Sequence, residues 1–116
     1  MEPNDLARRM VDLISDKKGE DIVLMDLRQV TPIADYFVIA TGSNERLLNA
    51  LIDHLREEVK KEAGGKIPIR TEGKGPNGWV LMDYGDVVVH LFSPQMRNYY
   101  DLESLWADAN VLVRMQ

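Results

Sequence analysis

The chain predicts an α/β (α+β) fold, a mixed β-sheet flanked by helices, and three observations carry that expectation. Two strand-length apolar runs, Asp21–Leu27 and Asp35–Thr41, are hydrophobic on both faces, as central strands are. Residues Trp79–Phe92 alternate around Gly85-Asp86 like a tight hairpin. Segments with helical spacing lie before, between and after these runs. At 116 residues the chain is one domain, able to bury roughly two-thirds of the surface its unfolded form exposes. We place that domain at 1–109 and treat 110–116 as a C-terminal tail.

Taken in order, Leu6, Met10, Leu13 and Ile14, with Ala7 and Val11 beside them, form the apolar stripe of a first helix. Asn4 is its expected cap and Gly19 its stop. The strand Asp21–Leu27 is broken by Val30-Thr31-Pro32, and Asp35–Thr41 is the next strand. Gly42-Ser43 supplies the turn and the cap of a long helix, with Leu47, Leu48, Leu51, Ile52, Leu55 and Val59 inward and Glu57, Glu58, Lys60, Lys61 and Glu62 solvated. Gly64-Gly65 ends it. Ile67–Thr71 contains a proline and is expected as a short edge strand, followed by a glycine-rich loop over Glu72–Gly78. After the hairpin, Ser93-Pro94 is a cap with proline at the first helical position, opening a helix through about Tyr99 that Asp101 restarts through Trp106. The tail alternates weakly at Val111, Val113 and Met115, which leaves an added edge strand or disorder open.

The hairpin is the most informative segment. With Gly85-Asp86 as a two-residue turn, Tyr84 pairs with Val87, Met82 with Val89, Leu81 with His90 and Trp79 with Phe92. Val80, Met82, Tyr84, Val87, Val89 and Leu91 then share the core face. The opposite face carries Trp79, Leu81, Asp83, Val88, His90 and Phe92, a mixture that suits either a helix-covered layer with a polar edge or a surface awaiting a partner.

Composition narrows the function classes. There is no cysteine, which excludes disulfides and thiolate metal sites, and two widely separated histidines argue against a zinc site. Met1-Glu2-Pro3-Asn4-Asp5 has neither the basic start of a signal peptide nor the make-up of a transit peptide, and the apolar runs are strand-sized, so a soluble, cytoplasmic protein is expected. A net charge of −5 disfavours partners recognised through a phosphate backbone and favours a basic protein.

Few residues suggest chemistry. Thr41-Gly42-Ser43 lies where backbone N–H groups hold phosphates, as in nucleotidyltransferases, but no Asp-x-Asp pair follows on a strand. Asp83 and Asp86 flank a turn, so a divergent metal-dependent nucleotidyltransferase is the alternative, and helix capping is the simpler role for Ser43. His90 lies diagonally across the strand pair from Asp83, near enough for a carboxylate to orient an imidazole, yet no nucleophile stands beside it and a structural or contact role is favoured. His54 is expected at the surface. In Arg97–Asp108, Leu102 and Leu105 or Trp106 face the core, while Tyr99 or Tyr100 with Asp101, Glu103 and Asp108 forms an aromatic, acidic rim.

Asp21-Ile22 with Asp26, Ala34–Ser43, Glu72-Gly73, Gly78–His90 and Tyr100–Trp106 together resemble the ribosomal silencing factor family, also called RsfS or Iojap. The resemblance runs from about Asp5 to Asp108 in several motifs in the same order. It implies a nucleotidyltransferase-like mixed sheet without the catalytic carboxylate pair, no enzymatic activity and no cofactor. It further implies a factor that binds the universal fourteenth protein of the large ribosomal subunit and sterically blocks joining of the small subunit, lowering translation when nutrients are short. On strand parity and composition, Trp79, Leu81, His90 and Tyr100 are expected at the centre of the partner-binding surface, with Asp83, Asp101 and Glu103 as its rim. Met82 and Tyr99 replace neighbours if the register slips by one. A homodimer through the same patch is expected when the ribosome is absent.

Overall fold

A computed structural model describes residues 1–116. Its elements are α1 (Pro3–Asp16), β1 (Glu20–Asp26), β2 (Tyr36–Thr41), α2 (Glu45–Glu62), β3 (Arg70–Glu72), β4 (Trp79–Asp83), β5 (Val87–Phe92), α3 (Pro94–Tyr100), α4 (Leu102–Leu105) and β6 (Asn110–Met115). The six strands form one sheet in the order β3-β4-β5-β2-β1-β6. Only β2 and β5 run parallel; the other neighbours are antiparallel, so the sheet is mixed as expected. No helix is long and apolar enough to cross a membrane.

The central strands β1, β2 and β5 are buried on both faces, which is why their sequences lack alternation. On one face α1 and α2 close over Leu24, Val38, Val89 and Leu91, making a cluster of 22 buried residues that includes the whole expected inner face of the hairpin. On the other face a smaller cluster of 10 forms around Phe37, Ile39, Phe92 and Leu102, with Trp79, Leu81 and Trp106 packed at its margin. The unequal covers matter for function. Two long helices seal one side, whereas α3, α4 and the loop before β2 only partly roof the other.

Several local expectations shift. Asn4 lies inside α1, whose cap position is Glu2; its amide donates instead to the Tyr36 hydroxyl at 3.3 Å. Lys18 rather than Gly19 takes the left-handed conformation that ends this helix. Asn44 caps α2, its side chain accepting from Leu47 N at 2.8 Å, and Ser43 is left exposed. The edge strand is displaced to Arg70–Glu72, because Pro68 has no N–H to give and pairing with β4 begins only where Ile69 N reaches Asp83 O. Ser93 caps α3 as expected, accepting from Met96 N at 3.2 Å. Residues 110–115, set apart from the domain in the sequence, are the edge strand of the two alternatives: β6 pairs with β1 and lays Leu112 and Val113 against the larger core.

Candidate functional site

The hairpin register is the expected one, with Trp79 opposite Phe92, Leu81 opposite His90 and Met82 opposite Val89. The partly roofed face therefore carries Trp79, Leu81, Asp83, Val88, His90 and Phe92, and the two alternatives for it are both realised. Val88, His90 and Phe92 on the inner strand are buried; Trp79, Leu81 and Asp83 on the outer strand are half-exposed. Met82 is fully buried on the opposite face and is no candidate for contact.

Trp79 is held rigidly. Its indole stacks on Phe92 at 5.4 Å between centroids, its Nε1–H donates to His90 Nδ1 at 3.2 Å, and Tyr100 of α3 lies tilted against it at 4.3 Å. Gly73 makes room for this arrangement: at φ 83° it brings its backbone so close to the Trp79 carbonyl that a Cβ would overlap it. Tyr99, 75% exposed, extends the surface from Tyr100 at 37%, the two rings meeting edge-on at 5.1 Å, and Leu105 on α4 is 72% exposed. Leu105 was a candidate for the core; Leu102 and Trp106 take that place, Trp106 meeting the Phe37 ring edge-on at 5.8 Å.

Two expected contact residues are engaged inside the protein. His90 is only 4% exposed, so it supports the surface from below instead of forming its centre. The carboxylate expected to orient it does not do so. Asp83 Oδ1 accepts from Gly85 N at 2.8 Å, shaping the hairpin turn, and the imidazole meets the Trp79 indole. Burial pushes the His90 pKa down to about 4, which keeps the ring neutral. Glu103 is clamped by Arg97 through two hydrogen bonds of 3.0 and 3.1 Å, and Arg97 also donates to Thr41 Oγ1 at 2.8 Å, tying α3 and α4 to the end of β2. Asp101 is exposed at φ 47°, where it joins the two short helices and accepts from Ser104 Oγ at 2.6 Å.

The phosphate-cradle geometry does not develop at Thr41-Gly42-Ser43. Thr41 Oγ1 is taken by Arg97, and a Cβ on Gly42 would sit 3.1 Å from the Leu48 backbone, so the glycine serves close packing of α2. No three histidine or acidic side chains converge where they would hold a metal ion. Asp83 is bound to the turn and Asp86 is exposed beyond it. His54 on α2 is half-buried, its Nε2 lacking a partner, rather than at the surface.

The model of a family described as ribosomal silencing factor during starvation matches residues 1–116. The chain belongs to this family. A protein named ribosomal silencing factor RsfS from Halalkalibacterium halodurans is 40% identical over 109 residues, covering 94% of this chain and 92% of that one. A protein of the same name from Chromobacterium violaceum is 38% identical, covering 91% and 85%. A crystal structure of a Chromobacterium violaceum protein superposes with a TM-score of 0.85 at 34% identity, over 92% of this chain and 88% of that one. The family resemblance read from the motifs is thus established, and so is the mixed α/β fold.

The family motifs fall at the end of β3 (Glu72-Gly73), on the hairpin (Gly78–His90) and on α3 and α4 (Tyr100–Trp106). Sequence reasoning missed Leu105, Ile33 and Ile69 as exposed apolar members, the last two 69% and 73% exposed. A usable signal for Ile69 existed: its neighbour Pro68 confines it to a sheet edge, where one side chain in two faces solvent.

Proposed function

We propose that this protein is a translation repressor that grips the universal fourteenth protein of the large ribosomal subunit and blocks joining of the small subunit by its bulk. It carries out no reaction in doing so. The observation that supports this most is the Trp79 indole, half-exposed yet locked by Phe92, His90 and Tyr100, with half-exposed Leu81 on the same strand face and the exposed Tyr99 ring against Tyr100. A rigid aromatic anchor in an apolar field is the usual make-up of an interface hot spot. Ribosomal proteins are mostly basic, and a chain of net charge −5 is steered toward them before the apolar centre is buried. Trp79, Leu81 and Tyr100 form the centre of that contact, with Asp83 and Asp101 on its rim. His90 and Glu103 belong to it as supports. When no ribosome is at hand the same patch pairs two copies of the chain.

The test is cosedimentation with purified large subunits, with and without the fourteenth protein, followed by a subunit-joining assay. Trp79→Ala is expected to weaken binding by about 2 kcal/mol, roughly thirtyfold, and to restore joining. Equal binding to subunits lacking the fourteenth protein refutes the partner; wild-type affinity in the variant removes Trp79 from the contact.

A further inference from the structure

The same sheet face holds a cavity of about 280 Å³ between the loop preceding β2 and the edge formed by β3 and β4. Ile33, Ile69, Leu81 and Val88 contribute apolar walls, and its polar lining comes from His90, Asp83 and Arg70. Two of these have unused hydrogen-bonding capacity. Because His90 Nδ1 accepts from the Trp79 indole, the proton of the neutral ring is on Nε2, and that buried atom has no partner. Such a donor costs stability unless something meets it. Asp83 spends Oδ1 on the turn, while Oδ2 has only the Arg70 Nε at 3.5 Å, longer than a good charge-assisted bond.

We propose that this cavity receives one carboxamide side chain, a glutamine or asparagine, from the protein partner; the source of that side chain rests on the partner reading above. Leu81 is directly opposite His90 and Asp83 opposite Val88, so His90 and Asp83 are diagonal neighbours on one face. Diagonal neighbours on one sheet face lie within reach of a shared group through their longer side chains. The amide oxygen accepts a hydrogen bond from His90 Nε2–H, and the amide NH₂ donates one to Asp83. Other side chains fit less well. A lysine or arginine has no acceptor for Nε2–H, a carboxylate faces Asp83, and an aliphatic group leaves both polar atoms unpaired.

The experiment is an NMR titration of the whole protein with propionamide, propionate and n-propylammonium, read at the His90 imidazole nitrogens and the Leu81 and Val88 methyls. Propionamide is expected to move these signals saturably and to bind about tenfold more tightly than either charged analogue, the difference one unmade hydrogen bond makes. In Asp83→Val its preference over propionate disappears. Equal responses to all three probes, or none, overturn the proposal. Wild type that sediments with large subunits while propionamide leaves His90 unmoved sinks the cavity assignment alone. Propionamide seated at His90 in a protein that ignores subunits sinks the repressor reading and leaves the cavity's chemistry standing.

Discussion

Mild acid should destabilise this protein through a single buried ring. An unfolded His90 titrates near 6.5, whereas in the fold desolvation brings it to about 4. Between these values the unfolded chain binds the proton and the folded one resists it, so stability falls as the pH drops. The contribution is complete above about pH 6.5 and is lost by about pH 4. At pH 5 the unfolded histidine is almost fully charged and the folded one almost fully neutral, which corresponds to a loss of about 2 kcal/mol relative to pH 8. That is a visible share of the roughly 5–15 kcal/mol of a domain of this kind. Asp26, held low by its hydrogen bonds from Arg28, and Glu62, held low by those from Arg9, lose their contributions only at lower pH, below the ordinary carboxylate values of 3.8 and 4.5. Urea unfolding followed by tryptophan fluorescence at pH 8, 6.5 and 5 measures the effect. His90→Phe has no proton to bind and should flatten the curve, whatever it does to absolute stability. Equal stability of the wild type at pH 8 and 5, or the same drop in the variant, refutes the reasoning.

Removing residues 110–116 takes β6 from β1 and strips Leu112 and Val113 from the core, and urea unfolding should show a loss on the order of 3 kcal/mol. An unchanged midpoint would return the segment to the status of a tail. Gly73→Ala must place a Cβ against the Trp79 carbonyl at a positive φ, and a loss of about 2 kcal/mol is expected by thermal melting. Arg97→Met keeps the stem but frees Glu103 and Thr41, so it should cost about 1–3 kcal/mol and speed amide hydrogen exchange across α3 and α4. Wild-type exchange there would mean that these helices hold themselves in place.

The legible parts of the fold are those in which chemistry acts between near neighbours. Gly85-Asp86 set the pairing of Leu81 with His90 and of Trp79 with Phe92, and with it which residues share a face. Ser93-Pro94 marked the start of α3, and unbroken apolar runs marked the buried centre of the sheet. Caps were less secure where polar residues adjoin, because Ser43 and Asn44 both carry a capping oxygen and only the path of the chain chooses between them. For the candidate site, parity found Trp79, Leu81, Asp83 and His90 together but not how deep each lies. His90 and Leu81 pair directly, yet one is buried and the other half-exposed, since β5 is interior to the sheet and β4 lies one strand from its edge.

From its residues alone this chain determined the mixed sheet, the hairpin register, the family and the aromatic face, because periodicity and turn chemistry depend on the residues just before and after. Tertiary structure decided which part of that face meets water. Short helices roof His90 and Phe92 and stop at Trp79, and their reach depends on Arg97 finding Thr41, a partner 56 positions away. It also decided that Asn110–Met115 is a strand, for an edge forms only where β1 has an open side to offer.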